Sequence, residues 1–408
     1  MNTPTLIIED PDIEHSFEND NPSLAIRPKH IINGPAARII NLRNARSFFL
    51  IAYQHFNSIS KSFSALLSLR KLQKSVWGSN PQKWAYAGGR YHFMLYAPGF
   101  PSSQLNKMHL MEIRRMKMVK ENSELRFAFF AITKKCPLRC QHCFEWDKLN
   151  AKELLSYDDL RNAIIKLKDM GIVQLHLSGG EPMLRVKDIA RLANEFSNGM
   201  EFYVLTSGFN ATRENLILLK QSGVTGIVVS LDHYDKKRHN AFRGSENSYV
   251  DAIHAILCAR ELDMVVTMTI CVNREMATFN ELLRYANLAR SLDVSFIQLL
   301  EPRQVGNYAG KDVLLNKEQL DLLSNFYEKL NFTRQYNNYP IVIFHGYYQS
   351  KIGCFSAGNR ALYIDTNGDV LLCPFCHHKT GNVVTDHIPS LLPKMRAVGC
   401  PSFGKAAF

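Results

Sequence analysis

The sequence predicts an α/β protein: a parallel sheet in a partial barrel of six strand–helix units, preceded by a mainly helical extension and followed by a small cysteine-rich unit. Three observations carry this. Between residues 126 and 300, six short apolar runs alternate with segments of helical spacing, the pattern of a sheet buried on both faces. Each conspicuous polar motif in that stretch follows a strand, and ligands of such sheets sit beyond the carboxyl ends of the strands. Seven of the nine cysteines fall in two groups, one behind the first strand and one after residue 350.

Taken in order, residues 1–34 hold Pro4, Pro11, Pro22 and Pro28 and read as an extended arm, acidic over its first 20 residues. From about Ala36 to Val76 neither Pro nor Gly occurs, and Ile39, Ile40, Phe48, Ile51, Phe56, Ile59, Phe63, Leu66 and Leu67 recur at helical spacing, which gives one long helix or two. A turn-rich stretch follows, with a hairpin around Gly88-Gly89, and then a helix from about Gln104 to Lys120. Strands are predicted at 126–132, 173–179, 201–207, 226–232, 265–271 and 295–300, and helices at 157–169, 186–197, 213–222, 248–262 and 278–291. Six units suit an open barrel better than a closed eightfold one. Beyond residue 340, YIDTNGDVLLCPFC reads as two strands around Asn367-Gly368 leading into Cys373 and Cys376. The division is residues 1–120, an arm and basic helical extension; 121–335, the barrel; and 336–408, the cysteine-rich unit.

At 408 residues and 46% hydrophobic, the chain is long and apolar enough for more than one folded unit. The apolar run FFLIAY (Phe48 to Tyr53) falls far short of the ~20 residues of a membrane span, and no transmembrane segment is expected. The N-terminus has no basic segment leading into an apolar one. The expected location is the cytoplasm, where thiols stay reduced and clustered cysteines indicate metal or catalysis before disulfides. The net charge of +12 is uneven: from Asn21 to Met111 there are 12 Lys and Arg and no acid. That suits an acidic peptide or another anionic partner, or the acidic arm itself. Nucleic acid is not expected: no RNA-binding module is recognisable, and Trp77, Trp84, Tyr86 and Tyr91 read as core.

The most informative stretch is CPLRCQHC, with Cys136, Cys140 and Cys143 in a loop after the first strand. A structural zinc site needs four ligands, which His142 or His176 would have to complete. Three thiols alone suit a 4Fe–4S cluster with one iron left open to a small molecule. The motif resembles the signature of the radical S-adenosylmethionine (radical SAM) superfamily. Further marks agree in order: SGGEP (Ser178 to Pro182) after the second strand, TSG at 206–208 after the third, SLD at 230–232 after the fourth, then AFRG at 241–244. The resemblance implies a radical SAM partial barrel in which the three cysteines hold the cluster. It implies that Gly179, Gly180, Glu181, Ser207, Ser230, Asp232 and Arg243 contact S-adenosylmethionine, with Phe144 flanking the adenine. It also implies reductive cleavage of S-adenosylmethionine to a 5′-deoxyadenosyl radical, supplied with electrons by a donor such as flavodoxin or ferredoxin.

Cys354, Cys373, Cys376 and Cys400 form the second group. Their GC–x13–G–x4–C arrangement resembles the SPASM and shorter twitch extensions, with four cysteines where the full SPASM pattern has seven. One auxiliary 4Fe–4S cluster is expected there, with zinc as the alternative because CPFCHH also offers His377 and His378. Cys258 and Cys271 read as packing residues. The function implied is hydrogen abstraction from a peptide or protein substrate. The alternatives are small-molecule or cofactor biosynthesis, and an RNA-binding or RNA-modifying protein.

Overall fold

A computed structural model describes residues 30–79, 81–117, 124–400 and 402–403. Most of the expected arm, and the end of the helix drawn to Lys120, lie outside these residues. The described chain opens with strand β1 (Ile31–Asn33), helices α1 (Gly34–Phe56) and α2 (Ile59–Trp77), the hairpin β2 (Lys83–Ala87) and β3 (Arg90–His92), and α3 (Ser103–Lys117). The long apolar-periodic stretch is therefore two helices. Asn57 takes the left-handed conformation (φ 47°) that ends α1, and the Ser58 side chain accepts from Lys61 N to start α2. Gly88 and Gly89, at φ 59° and 73°, make the two-residue turn pairing Ala87 with Arg90, as their sequence predicts.

The barrel strands are β4 (Phe127–Ala131), β5 (Gln174–Ser178), β6 (Glu201–Thr206), β7 (Val224–Ser230), β8 (Val265–Cys271) and β9 (Phe296–Leu300). They lie parallel in chain order, each within two residues of its sequence-predicted bounds. Helices α4 (Tyr157–Asp169), α5 (Val186–Phe196), α6 (Arg213–Gln221), α7 (Lys236–Arg243), α8 (Ser248–Glu261), α9 (Phe279–Ser291) and α10 (Lys317–Phe332) connect and follow them. Most start on a polar cap; Ser156 and Asp159 form a complete capping box on α4.

Beyond the six predicted units, β10 (Ile341–Phe344) adds a further parallel strand beside β9. After α11 (His345–Ile352), β11 (Ala361–Ile364) runs parallel to β4 on the opposite edge, continued by β12 (Asp369–Cys373) and β13 (Cys376–Asn382); α12 (Ile388–Val398) closes the described chain. One ten-stranded sheet results, in the order β10-β9-β8-β7-β6-β5-β4-β11-β12-β13. Both edges of the six-stranded barrel are thus covered by strands from beyond residue 340. The four-residue run IVIF is too short to stand out as a strand in sequence; pairing with β9 makes it one.

The N-terminal unit packs on the amino ends of the strands. Glu201, which opens β6, accepts from Arg90 Nη1 at 2.9 Å and from Gly99 N at 3.0 Å. Buried Lys83 donates to four backbone carbonyls, Leu330 (2.7 Å), Tyr336 (3.3 Å), Tyr339 (3.0 Å) and Pro340 (3.2 Å), joining β2 to the end of α10. Tyr96 enters the barrel, stacked on Phe127 and accepting from Gln298 Nε2 at 2.6 Å. Trp84 is wholly buried and Trp77 and Tyr86 are half-buried. Among the described residues no helix is long and apolar enough to cross a membrane.

Candidate active site

The chain leaves β4 at Ala131 and forms the cysteine loop at the carboxyl end of the sheet. Asn150 clasps its first cysteine on both sides, accepting from Cys136 N and donating to Cys136 O, each at 3.1 Å. Glu153 holds Thr133 Oγ1 and Lys134 N just upstream. On the far side, Asn307, from the segment after β9, donates through its side chain to Cys140 O (3.3 Å) and through its backbone to Cys143 O (2.9 Å). Arg243, the last residue of α7, directs Nη1 to Cys140 Sγ at 3.6 Å. Burial pushes the Cys136 and Cys143 thiols up to about 12 and raises Cys140 as well. Among the described residues, no group of three His, Cys, Asp or Glu side chains is arranged to hold a metal ion. Of the histidines weighed for zinc, His142 stacks on Phe242 (4.9 Å), and His176 lies inside the barrel against Tyr203 (5.1 Å).

SGGEP follows β5 and lies directly on the cysteine loop. Gly180 N donates to Thr133 O (2.7 Å) and Glu181 N to Lys135 O (2.8 Å). A Cβ on Gly179, where φ is +132°, would stand 2.5 Å from Thr133 O, and one on Gly180 would strike Lys135 O. The two glycines therefore permit two backbones to touch. The adjoining Glu181 is buried, and its carboxylate accepts from four neutral donors: Met183 N (3.1 Å), Thr206 Oγ1 (2.7 Å), Ser207 N (2.8 Å) and Ser207 Oγ (2.5 Å). Burial raises its pKa against these hydrogen bonds. A buried carboxylate oriented by neutral donors has the donor set to receive an ammonium group. Three thiols on one loop and this carboxylate on the turn beneath it fit a cluster that shares a ligand bearing an amino group.

Asp232 and Arg243 meet in a buried ion pair, Nε to Oδ2 at 2.6 Å. Asp232 Oδ1 also accepts from Cys271 N at 2.8 Å. Burial would raise the carboxyl of Asp232, but Arg243, His142, His239 and the Cys271 amide outweigh it and hold it below the usual range. Ser230 ends β7, half-buried, beside this pair in sequence. Phe144 stands edge-on to Tyr363 (6.1 Å) and to Phe375 (5.9 Å), between the barrel loop and the C-terminal hairpin.

That hairpin carries the second cysteine group. Cys373 pairs with Cys376 across β12 and β13. Cys354 neighbours Cys400, and the Cys373 thiol feels both Cys376 and Cys400. The four are thus neighbours drawn from a stretch of 47 residues, Cys354 to Cys400. The neighbouring Cys400 and burial push the Cys354 thiol up, and the neighbouring Cys354 pushes that of Cys400 down. His377 and His378 are exposed on β13. Cys258 lies buried in α8 beside His254, and Cys271 is buried at the end of β8. The two cysteine groups are tied together: Tyr363 OH donates to Glu145, and Lys148 pairs with Asp365.

A three-thiol loop thus lies at the carboxyl end of a parallel sheet, seated on a turn with a buried carboxylate, and four more thiols lie in the adjoining C-terminal unit. The sequence profile of the Radical SAM superfamily matches residues 130–286. Over that span the chain is similar to a family that binds a 4Fe–4S cluster and S-adenosylmethionine. The PqqA peptide cyclase of Bradyrhizobium diazoefficiens is 30% identical over 148 residues, 35% of this chain and 38% of that protein. The GTP 3′,8-cyclase of Saccharophagus degradans is 25% identical over 265 residues, 61% of this chain and 79% of that one. The chain thus spans little over a third of the first relative's length and about four-fifths of the second's. In structure, Streptococcus suis SuiB, solved with its precursor peptide SuiA, is similar with a TM-score of 0.56 at 17% identity, covering 85% of this chain and 81% of that one. At that identity the likeness is one of fold.

Sequence reasoning missed Asn150, Glu153 and Asn307 as supports of the cysteine loop. Polar residues at those separations carry no spacing signal; only the folded loop shows what they hold.

Proposed function

We propose that this chain is a radical SAM enzyme acting on a peptide or protein substrate. The observation that carries the reading is the seating of the cysteine loop on the SGGE turn, with the Glu181 carboxylate buried among neutral donors. On this reading Cys136, Cys140 and Cys143 hold the cluster, and Glu181 binds the amino group of S-adenosylmethionine. When bound, the pair supplies one-electron cleavage of S-adenosylmethionine and hydrogen-atom abstraction from the substrate. The chain's own residues do the positioning. Gly179 and Gly180 set the distance between loop and turn. Ser207 orients Glu181, and with Ser230 at its strand end would contact the cofactor, whose adenine Phe144 would flank. Arg243, neutralised by Asp232, directs an N–H at the Cys140 sulfur, a contact that tunes a thiolate ligand. Cys354, Cys373, Cys376 and Cys400 hold one auxiliary 4Fe–4S cluster in a unit spanning 336–408, beside a barrel at 121–335 and an extension at 1–120. An electron donor such as flavodoxin or ferredoxin, and a cytoplasmic location, go with this chemistry.

The peptide reading is supported by identity to a peptide cyclase and by the auxiliary thiols beside Phe144. A second reading, a small-molecule substrate, is favoured by the longer match to GTP 3′,8-cyclases. The test is the Cys136→Ala, Cys140→Ala, Cys143→Ala protein, reconstituted and reduced. Formation of 5′-deoxyadenosine should vanish while visible absorption from the C-terminal cysteines persists. Continued reductive cleavage would overturn the assignment. For the substrate, a short peptide encoded beside the gene should raise 5′-deoxyadenosine output and change in mass; stimulation by GTP instead favours the second reading.

A further inference from the structure

A cleft lies between α2, α3, α11 and the amino ends of β4 and β11. Leu69, Leu72, Val76, Met94, Ile352 and Phe355 give it apolar walls, and its polar floor includes Glu112, Arg126 and Arg360. Among the described residues the charges at the floor do not balance. Glu112 takes Arg126 Nε at 2.7 Å, with Arg115 Nε at 3.7 Å and Arg360 Nη2 at 3.9 Å. Three guanidinium groups thus share one carboxylate. Arg360 is only 7% exposed, and among the described residues its Nη1 has no hydrogen-bond partner; neither has Nδ1 of buried His109 nor Oδ1 of Asn44, which line the same cleft.

A surplus of buried positive charge is costly unless an anion neutralises it. Here the strain is visible on both sides of the pairing. Burial and the neighbouring Arg126 push Arg360 and Arg115 down to about 10. Glu112, raised by burial but lowered more by Arg126, Arg360 and Arg115, is held at about 2. An unfilled guanidinium donor at the end of an apolar cleft matches an acidic head on a hydrocarbon body.

We propose that this cleft binds a small amphipathic anion, an apolar chain ending in a carboxylate or phosphate, with its head on Arg360 and Arg126 and its chain along α2. The site is separate from the cysteine loop. Arg126 precedes β4 and the loop follows it, so five residues at ~3.3 Å each put the two roughly 16 Å apart. Its ligand therefore joins the N-terminal helices to the barrel from outside the reaction centre, and the inference does not depend on the reaction proposed above.

The test is titration of the full-length protein with decanoate, decyl phosphate, decanol and inorganic phosphate, followed by calorimetry and melting temperature. Decanoate or decyl phosphate should bind saturably at one site and raise the melting temperature, and the tighter of the two names the head group. Arg360→Met should weaken that binding about tenfold or more, the loss expected for one charge-assisted hydrogen bond. Leu72→Trp, which fills the cleft and leaves the charges alone, should block it too, and it keeps the test open if the arginine variant does not fold. Failure of both amphiphiles to bind overturns the proposal. So does equal binding of decanol, undiminished affinity in Arg360→Met, or stabilisation by inorganic phosphate as large as by decyl phosphate.

Discussion

At the residue scale, Glu181 and Arg243 show how differently two charges with the same expected duty are placed. Glu181 has only neutral donors around its carboxylate, so a cationic ligand finds an oriented and uncompensated charge. Arg243 is already engaged, with Nε on Asp232 and Nη1 on the Cys140 sulfur. Replacing Glu181 by Gln keeps the volume and removes the charge. Affinity for S-adenosylmethionine should then fall roughly 10- to 150-fold, the equivalent of about 1.5–3 kcal/mol. Calorimetric titration checks this, with circular dichroism confirming the fold. Unchanged affinity would move the amino-group site off Glu181.

At the element scale, the loops are positioned by partners far away in the chain. The cysteine loop rests on Asn150 and Glu153 downstream, on the end of α7 and on Asn307 after β9. The N-terminal hairpin is positioned in the same way. Lys83 in β2 reaches carbonyls at and beyond the end of α10, where a helix leaves its last C=O groups without intrahelical partners. Lys83→Met keeps the apolar stem and strips four buried carbonyls of their donor. It should cost about 3 kcal/mol or more, read as a lower urea midpoint with an unchanged slope. A variant as stable as the parent would mean that water replaces the ammonium group.

At the scale of the whole molecule, the C-terminal strands cover the edges of the barrel sheet. β10 and β11 cover opposite edges of the six-stranded sheet, so neither edge of β4–β9 is left with unpaired backbone. The interior is also rich in neutral histidine. Burial pushes His92, His109 and His345 down to about 4, and His176 and His239 to about 3. Below the ordinary value of 6.5, the unfolded chain takes up protons that the folded one refuses, so stability is present above 6.5 and lost as pH falls. The melting temperature should therefore drop steadily from about pH 6.5 to 4, ahead of most carboxylate titration. Glu112, held at about 2, adds its loss only below its ordinary 4.5. A melting temperature flat across that range would show that these rings are hydrated in the fold.

The sequence by itself determined the barrel. Its six strands and their helices follow from apolar runs, helical spacing and caps, all local features that a single segment displays. It also marked the chemistry, because CPLRCQHC and SGGEP sit at strand ends and thiol spacing is read along one stretch of chain. Tertiary structure alone decided the rest. IVIF became a strand only by pairing with β9, and β11 joined the barrel only by lying on β4. The two glycines of SGGEP proved to be contacts between backbones, which no spacing records. The three arginines on Glu112 come from Arg115, Arg126 and Arg360, and no local pattern joins the third to the others. Such arrangements depend on which distant segments are brought together, and burial then fixes the charge each group can carry.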